Sequence, residues 1–157
     1  MDTKFQGKKG ILGIGNILLG DEGFGVHVVR YMDDHYDLPP GVELMDGGTS
    51  GIQLADYIMG CEALLIIDAI RLAEPPGTVI QFSLESADNM LPVTMSPHQV
   101  GILDVLSILR FQGSAPGRIE FLCVVPKSMA TGLGLSEEIE ALVPVVGQRA
   151  YEWAIHA

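Results

Sequence analysis

Basic residues are scarce in this chain: nine Lys and Arg stand against 20 Asp and Glu, a formal net charge of −11. Such a balance repels phosphate backbones and argues against nucleic acid as a partner. Much of the charge serves solubility, and a partner with a basic patch is tolerated. Cysteine is scarcer still, with Cys61 and Cys123 alone. No Cys-x-x-Cys pair occurs, so a structural zinc site has no support. Each cysteine lies in an apolar stretch and reads as a buried reduced thiol. No apolar run is long enough to span a bilayer, so no membrane association is expected. Lys4, Lys8 and Lys9 precede a mildly apolar run over 11–19, but that run holds Asn16 and two glycines and leads into Asp21-Glu22. No convincing small-x-small cleavage site follows. A first strand and its loop explain the run better than a signal peptide, and the cytoplasm is the expected address. Nucleotide signatures are missing too. Gly13-x-Gly15 lacks the third glycine of the dinucleotide fingerprint, since position 18 is leucine. There is no Gly-x-x-x-x-Gly-Lys-Ser/Thr loop and no Gly-x-Ser-x-Gly elbow.

What remains is ample for one globular domain. The chain has 157 residues, 48% hydrophobic and 18% charged. Short apolar runs alternate with helix-period segments. Residues 11–14 read as a first strand, followed by a loop to Gly20 and a helix from about Asp21 to Tyr36, with Phe24, Val28, Met32 and Tyr36 at helical spacing. Val42–Met45 reads as a second strand, Asp46-Gly47-Gly48-Thr49 as a turn and helix start, and Ile52, Ala55 and Met59 as a short helix face closed by Gly60. The continuous run Ala63–Ile67 suits a central parallel strand buried on both faces. Thr78–Phe82, after Pro75-Pro76-Gly77, suits an antiparallel edge strand, and 83–95 is irregular. Ser96-Pro97 opens a helix whose expected buried face is Val100, Leu103, Leu106 and Leu109. Ile119–Val125 is a further strand. A last helix starts at Ser136-Glu137-Glu138, and Pro144 interrupts or kinks it. This alternation predicts a single domain over 1–157: an α/β fold with an open, mostly parallel sheet and helices on both faces.

Ligands in such folds bind beyond the carboxyl ends of the strands. The polar residues expected on that rim are Asp21-Glu22, Asp46, Asp68 and His98. Glu22 sits between glycines and reads either as a carboxylate presented at the rim, with Gly23 and Gly25 admitting a substrate chain, or as a complement to the helix dipole that Asp21 could supply equally well. Asp68 closes a buried strand and is either a rim carboxylate or a cap of the next turn. His98, second in its helix, is either a ligand or a capping and packing residue; the helix N-terminus there disfavours imidazolium, and a neutral imidazole can bind metal. Two carboxylates and one imidazole with open positions suit zinc, nickel, iron or manganese better than calcium. His27 and His35 read as solvent-facing, and His156 lies in the terminal tail.

The stretch 13–25, Gly-Ile-Gly-Asn-Ile-Leu-Leu-Gly-Asp-Glu-Gly-Phe-Gly, closely resembles the N-terminal signature of the nickel–iron hydrogenase maturation endopeptidases. Asp46-Gly47-Gly48-Thr49, Ile67-Asp68-Ala69, Ser96-Pro97-His98-Gln99 and the following Asp104-Val105-Leu106 resemble that family in the expected order. The resemblance implies a three-layer α/β/α fold with a five-stranded, mostly parallel sheet. It implies an endopeptidase that removes a C-terminal extension from a hydrogenase large-subunit precursor after nickel insertion. The family's metal-contacting glutamate, aspartate and histidine match Glu22, Asp68 and His98, and Asp68 and Glu22 are the implied catalytic carboxylates. Nickel would arrive with the precursor rather than reside in the enzyme, which is expected to be a monomer meeting its precursor one to one. Two other classes compete with this: a non-catalytic nickel-sensing chaperone of the same precursor, and a resident-metal amidohydrolase.

Overall fold

A computed structural model describes residues 8–89 and 95–156. Its strands are β1 (Lys9–Ile14), β2 (Val42–Gly48), β3 (Ala63–Ala69), β4 (Val79–Ser83) and β5 (Arg118–Val124), and its helices are α1 (Phe24–His35), α2 (Ala55–Met59), α3 (Pro97–Phe111), α4 (Glu137–Glu140) and α5 (Val143–Ile155). The strands form one sheet in the order β2-β1-β3-β5-β4. All neighbours run parallel except β4, which pairs antiparallel with β5 at the edge. The five-stranded α/β sheet expected above is present.

Strand β3 is the hinge of the layers, because every residue in it is buried. Leu65, Ile67 and Ala69 pack with Phe24, Val28 and Met32 of α1 and with Val146, Ala150 and Trp153 of α5. Leu64 and Ile66 point the other way, toward Ile58 of α2 and Ile102, Leu106 and Leu109 of α3. A strand apolar at every position is stable only with helices on both faces. Burying each such side chain contributes about 1.5–3 kcal/mol relative to exposure. The chain leaves β1 toward β2 and leaves β3 toward the opposite edge. The neighbouring ends of β1 and β3 therefore flank a topological switch point, the crevice where open α/β sheets bind ligands.

Several local expectations are corrected. The buried face of α3 is Ile102, Val105, Leu106 and Leu109, whereas Val100 is exposed and Leu103 half-buried. On the α2 unit, Leu54 and Ile58 face the core while Ile52 and Met59 are exposed. In α3 Leu106 and Leu109 are buried as expected and the face is rotated toward Ile102 and Val105, because short apolar-rich windows fit two neighbouring faces of a 3.6-residue period. Strand β2 continues through Asp46 to Gly48 instead of turning at Asp46, and its register with β1 shifts by one between Gly13 and Ile14, leaving Gly47 as the extra residue. The last helix is interrupted near Pro144 as expected, into α4 and α5, but not kinked: Pro144 sits in the first turn of α5, which suits a residue with no N–H to donate. Within 83–95, a 3-10 turn spans Leu84–Asn89, and 90–94 lie outside the described residues.

The first turn of α1 lies hard against the sheet. A Cβ on Gly25 would overlap the carbonyl oxygen of Ile67 and crowd that of Ile14, and one on Gly15, at φ +139°, would overlap the Glu22 carbonyl. A Cβ on Gly23 would press on the backbone of Ile17. These glycines therefore serve internal packing, not the approach of a substrate chain expected of Gly23 and Gly25.

Asp21 fixes the same corner. It is fully buried and accepts hydrogen bonds from the backbone N–H groups of Lys127 and Ser128 (both 2.9 Å) and Ser136 (2.7 Å), and from the Ser136 hydroxyl (2.7 Å). Burial alone would raise its pKa, but the Ser136 hydroxyl and the three N–H donors outweigh that and lower it. Asp21→Ala strands those donors, and the expected loss is about 2–4 kcal/mol of stability. A depressed carboxyl stabilises fully above its unfolded pKa and loses that contribution as pH falls toward its folded value. In paired denaturant melts the gap between wild type and Asp21→Ala should stay constant from neutral pH to about 5 and narrow below about 4.

Candidate active site

Three elements deliver three ionisable side chains to the crevice. The 3-10 turn Gly20–Gly23 after β1 presents Glu22, the end of β3 presents Asp68, and the first turn of α3 presents His98. They are 7%, 4% and 5% exposed. The imidazole lies between the carboxylates, with Nδ1 3.1 Å from Glu22 Oε1 and Nε2 3.6 Å from Asp68 Oδ1. The Ser96 hydroxyl stands 3.0 Å from the same Nδ1.

Asp68 is held at both oxygens. Oδ1 accepts the N–H of Ala69 (2.8 Å), and Oδ2 accepts the side-chain amide of Gln99 (2.7 Å). That amide also donates to the Ala69 carbonyl (2.8 Å), while its oxygen accepts the N–H of Ser96 (3.0 Å) as the reciprocal half of a capping box. Gln99 thus clamps the tip of β3 to the start of α3. It went unassigned in the sequence, where only its place beside His98 could have drawn attention. Glu22 is freer: among the described residues its one charged contact is His98, and it lines an open cleft of about 490 Å³ with Ala69, Arg71, Ser96, Gln99 and Met129.

The electrostatics follow from burial and mutual proximity. Burial, then the neighbouring Asp68, raises the Glu22 pKa against the opposing pull of His98 and Arg71. Asp68 is also raised, burial exceeding the help it receives from His98, Gln99 and the Ala69 N–H. Burial by itself would lower His98, but the hydrogen bond and charge of Asp68 and the charge of Glu22 outweigh it, so His98 is raised. The helix N-terminus was expected to keep this imidazole neutral; two buried carboxylates within 4 Å reverse that. In this arrangement the three groups neutralise one another. Among the described residues no three Asp, Glu, His or Cys side chains are arranged to hold an ion, because the ring's two nitrogens face different carboxylates.

Other candidates lie elsewhere. Asp46 is exposed and pairs with Arg30 (3.1 Å). His35 is exposed and stacks on Tyr31, and His156 is exposed beyond α5. His27, expected to face solvent, is half-buried, and its Nε2 is enclosed without a partner among the described residues. Cys61 and Cys123 are buried free thiols, as expected. Among the described residues no helix is long and apolar enough to cross a membrane.

Known proteins are similar to this chain in sequence and fold. Residues 26–153 match the family described as hydrogenase maturation protease (HycI), a span that begins after Glu22. Hydrogenase 2 maturation protease of Escherichia coli is 40% identical over 134 residues, covering 85% of this chain and 82% of that protein. Hydrogenase expression/formation protein HoxM of Azotobacter vinelandii is 40% identical over 133 residues, 83% of this chain and 64% of that longer protein. The solved structure of the hydrogenase maturating endopeptidase HybD from Escherichia coli superposes with a TM-score of 0.85 at 37% identity, covering 91% of this chain and 89% of that one. The chain is a peptidase and belongs to the hydrogenase maturation protease family.

Proposed function

We propose that this peptidase removes a C-terminal extension from the large-subunit precursor of a nickel–iron hydrogenase, in the cytoplasm and as a monomer, once nickel has been inserted. The observation that supports this best is the meeting of one imidazole and two carboxylates, all nine-tenths buried, at the switch-point crevice. Mixed oxygen and nitrogen donors of this kind suit a late divalent transition metal. Nickel is part of the substrate: it enters with the precursor, and Glu22, Asp68 and His98 complete its coordination. To accept it, the His98 ring must turn so that one nitrogen joins the carboxylates, and the protons the cluster holds must leave. Metal loading thereby becomes a condition for productive docking, and docking brings one peptide bond to the carboxylates.

The two carboxylates divide the work. Asp68 is locked by Ala69 and Gln99 and serves as a fixed ligand. Glu22 lines the open cleft, where a water can reach it, and serves as general base toward that water.

Purified precursor, with and without nickel, tests the reading directly. Loss of a C-terminal peptide from the nickel-loaded form alone is the expected result. Binding without cleavage would return the case to a chaperone. Glu22→Gln, Asp68→Asn and His98→Ala should each cut the cleavage rate by about 100-fold or more with unchanged circular dichroism. Normal processing by any one of them removes that residue from the site. Because the His98 pKa is raised, proton competition extends further than for an ordinary imidazole, and the rate should fall on an acidic limb lying above pH 6.5. Gln99→Glu sets a second carboxyl beside Asp68 and should move that limb to still higher pH while leaving the fold intact. An unmoved limb would show that Gln99 only caps α3.

A further inference from the structure

A second hollow adjoins the cleft on the α3 side of the sheet. Ile14, Ile70, Phe82, Ile102, Leu103 and Phe121 form its walls, and the free space between them is about 40 Å³ and opens to solvent. Phe82 and Phe121 stack with ring centres 5.1 Å apart, a stiff floor contributed by the antiparallel edge pair. Asp68 and Gln99 also line this hollow, and Gln99 and Met95 line the polar cleft as well. The two spaces are neighbours that share Met95 and Gln99 in their walls. One is polar and carries Glu22, Ser96 and Arg71; the other is apolar.

We infer that the apolar hollow is a specificity subsite, taking the apolar side chain of one of the two precursor residues that flank the scissile bond. The hollow has this role only if the cleft is the endopeptidase site proposed above. A peptide bound at Asp68 and Glu22 in an extended form sends successive side chains to opposite faces at about 3.3 Å per residue. One flanking side chain therefore turns into the hollow while the other turns away. Apolar walls with few polar groups at the rim select such a side chain by burial, and reject a charged one because its charge would lose water without gaining a partner. The occupant belongs to the substrate, since the hollow is continuous with the groups that would hold the peptide being cut.

The test uses nickel-loaded precursors in which each flanking residue is changed in turn to Asp, Ala or a larger apolar residue, cut by wild type and by Leu103→Trp. Leu103 is half-buried on the hollow wall and is not one of the ionisable trio, so a larger side chain there narrows the hollow while leaving Glu22, Asp68 and His98 chemically unchanged. At one flanking position, and not the other, Asp should lower kcat/KM by about 10–200-fold. Leu103→Trp should lose a comparable factor on a precursor with a large apolar residue there, and recover most of it when that residue is Ala. Leu103→Ala is the companion variant: its enlarged hollow should shift preference toward Phe or Trp. Tolerance of Asp at both positions overturns the subsite. So does a loss in Leu103→Trp that is the same for every flanking residue, or an unchanged preference in Leu103→Ala. Failure of wild type to cut any precursor overturns the endopeptidase reading itself, and is distinguished by that.

Discussion

The contact on which the site depends is the close approach of the first turn of α1 to the sheet. Gly25 lies against the carbonyl oxygens of Ile67 and Ile14, and Gly15 against that of Glu22. Any side chain there would lift the turn off the strands, and Glu22 with it. Glycine weakens a helix by about 1 kcal/mol relative to alanine. Here that cost is offset by seating a carboxylate beside the end of a central strand. The second tether is Asp21, whose four hydrogen bonds fasten the same turn to the segment between β5 and α4. Adjacent acidic residues thus have opposite fates. Asp21 engages both its oxygens with the protein's own backbone and hydroxyl groups, and Glu22 pairs with His98 and lines the cleft.

Neutralisation shapes the site's resting form. Two carboxylates this deeply buried would be costly alone, and one imidazole between them supplies the missing positive charge. The result holds protons more tightly than any of its members would in water, as the three raised pKa values indicate.

Much of this was legible in the sequence. The run Ala63–Ile67 announced a doubly covered strand, Ser96-Pro97 announced the start of α3, and the alternation of strand and helix placed Glu22, Asp68 and His98 on one rim. What could not be read depends on which element lies opposite. Asp21 finds Ser136 at a separation of 115 residues, and nothing local to either marks the pairing. Gln99 reaches across 31 residues to Asp68, and the charge preference of His98 reverses only once both carboxylates stand beside it. Gly23 and Gly25 suggest room for a substrate chain when read in the sequence, but their neighbours are backbone atoms that only the folded chain supplies. The phase errors in α2 and α3 arose differently: hydrophobic residues on both flanks of each helix made two faces nearly equal in pattern, and tertiary packing chose between them.

Glu22, Asp68 and His98 come from three separate elements, one after β1, one within β3 and one opening α3, and the sheet pairings that join those elements are long-range. The cluster therefore belongs to the tertiary structure alone: loosening the turn after β1, the tip of β3 or the start of α3 is enough to take it apart.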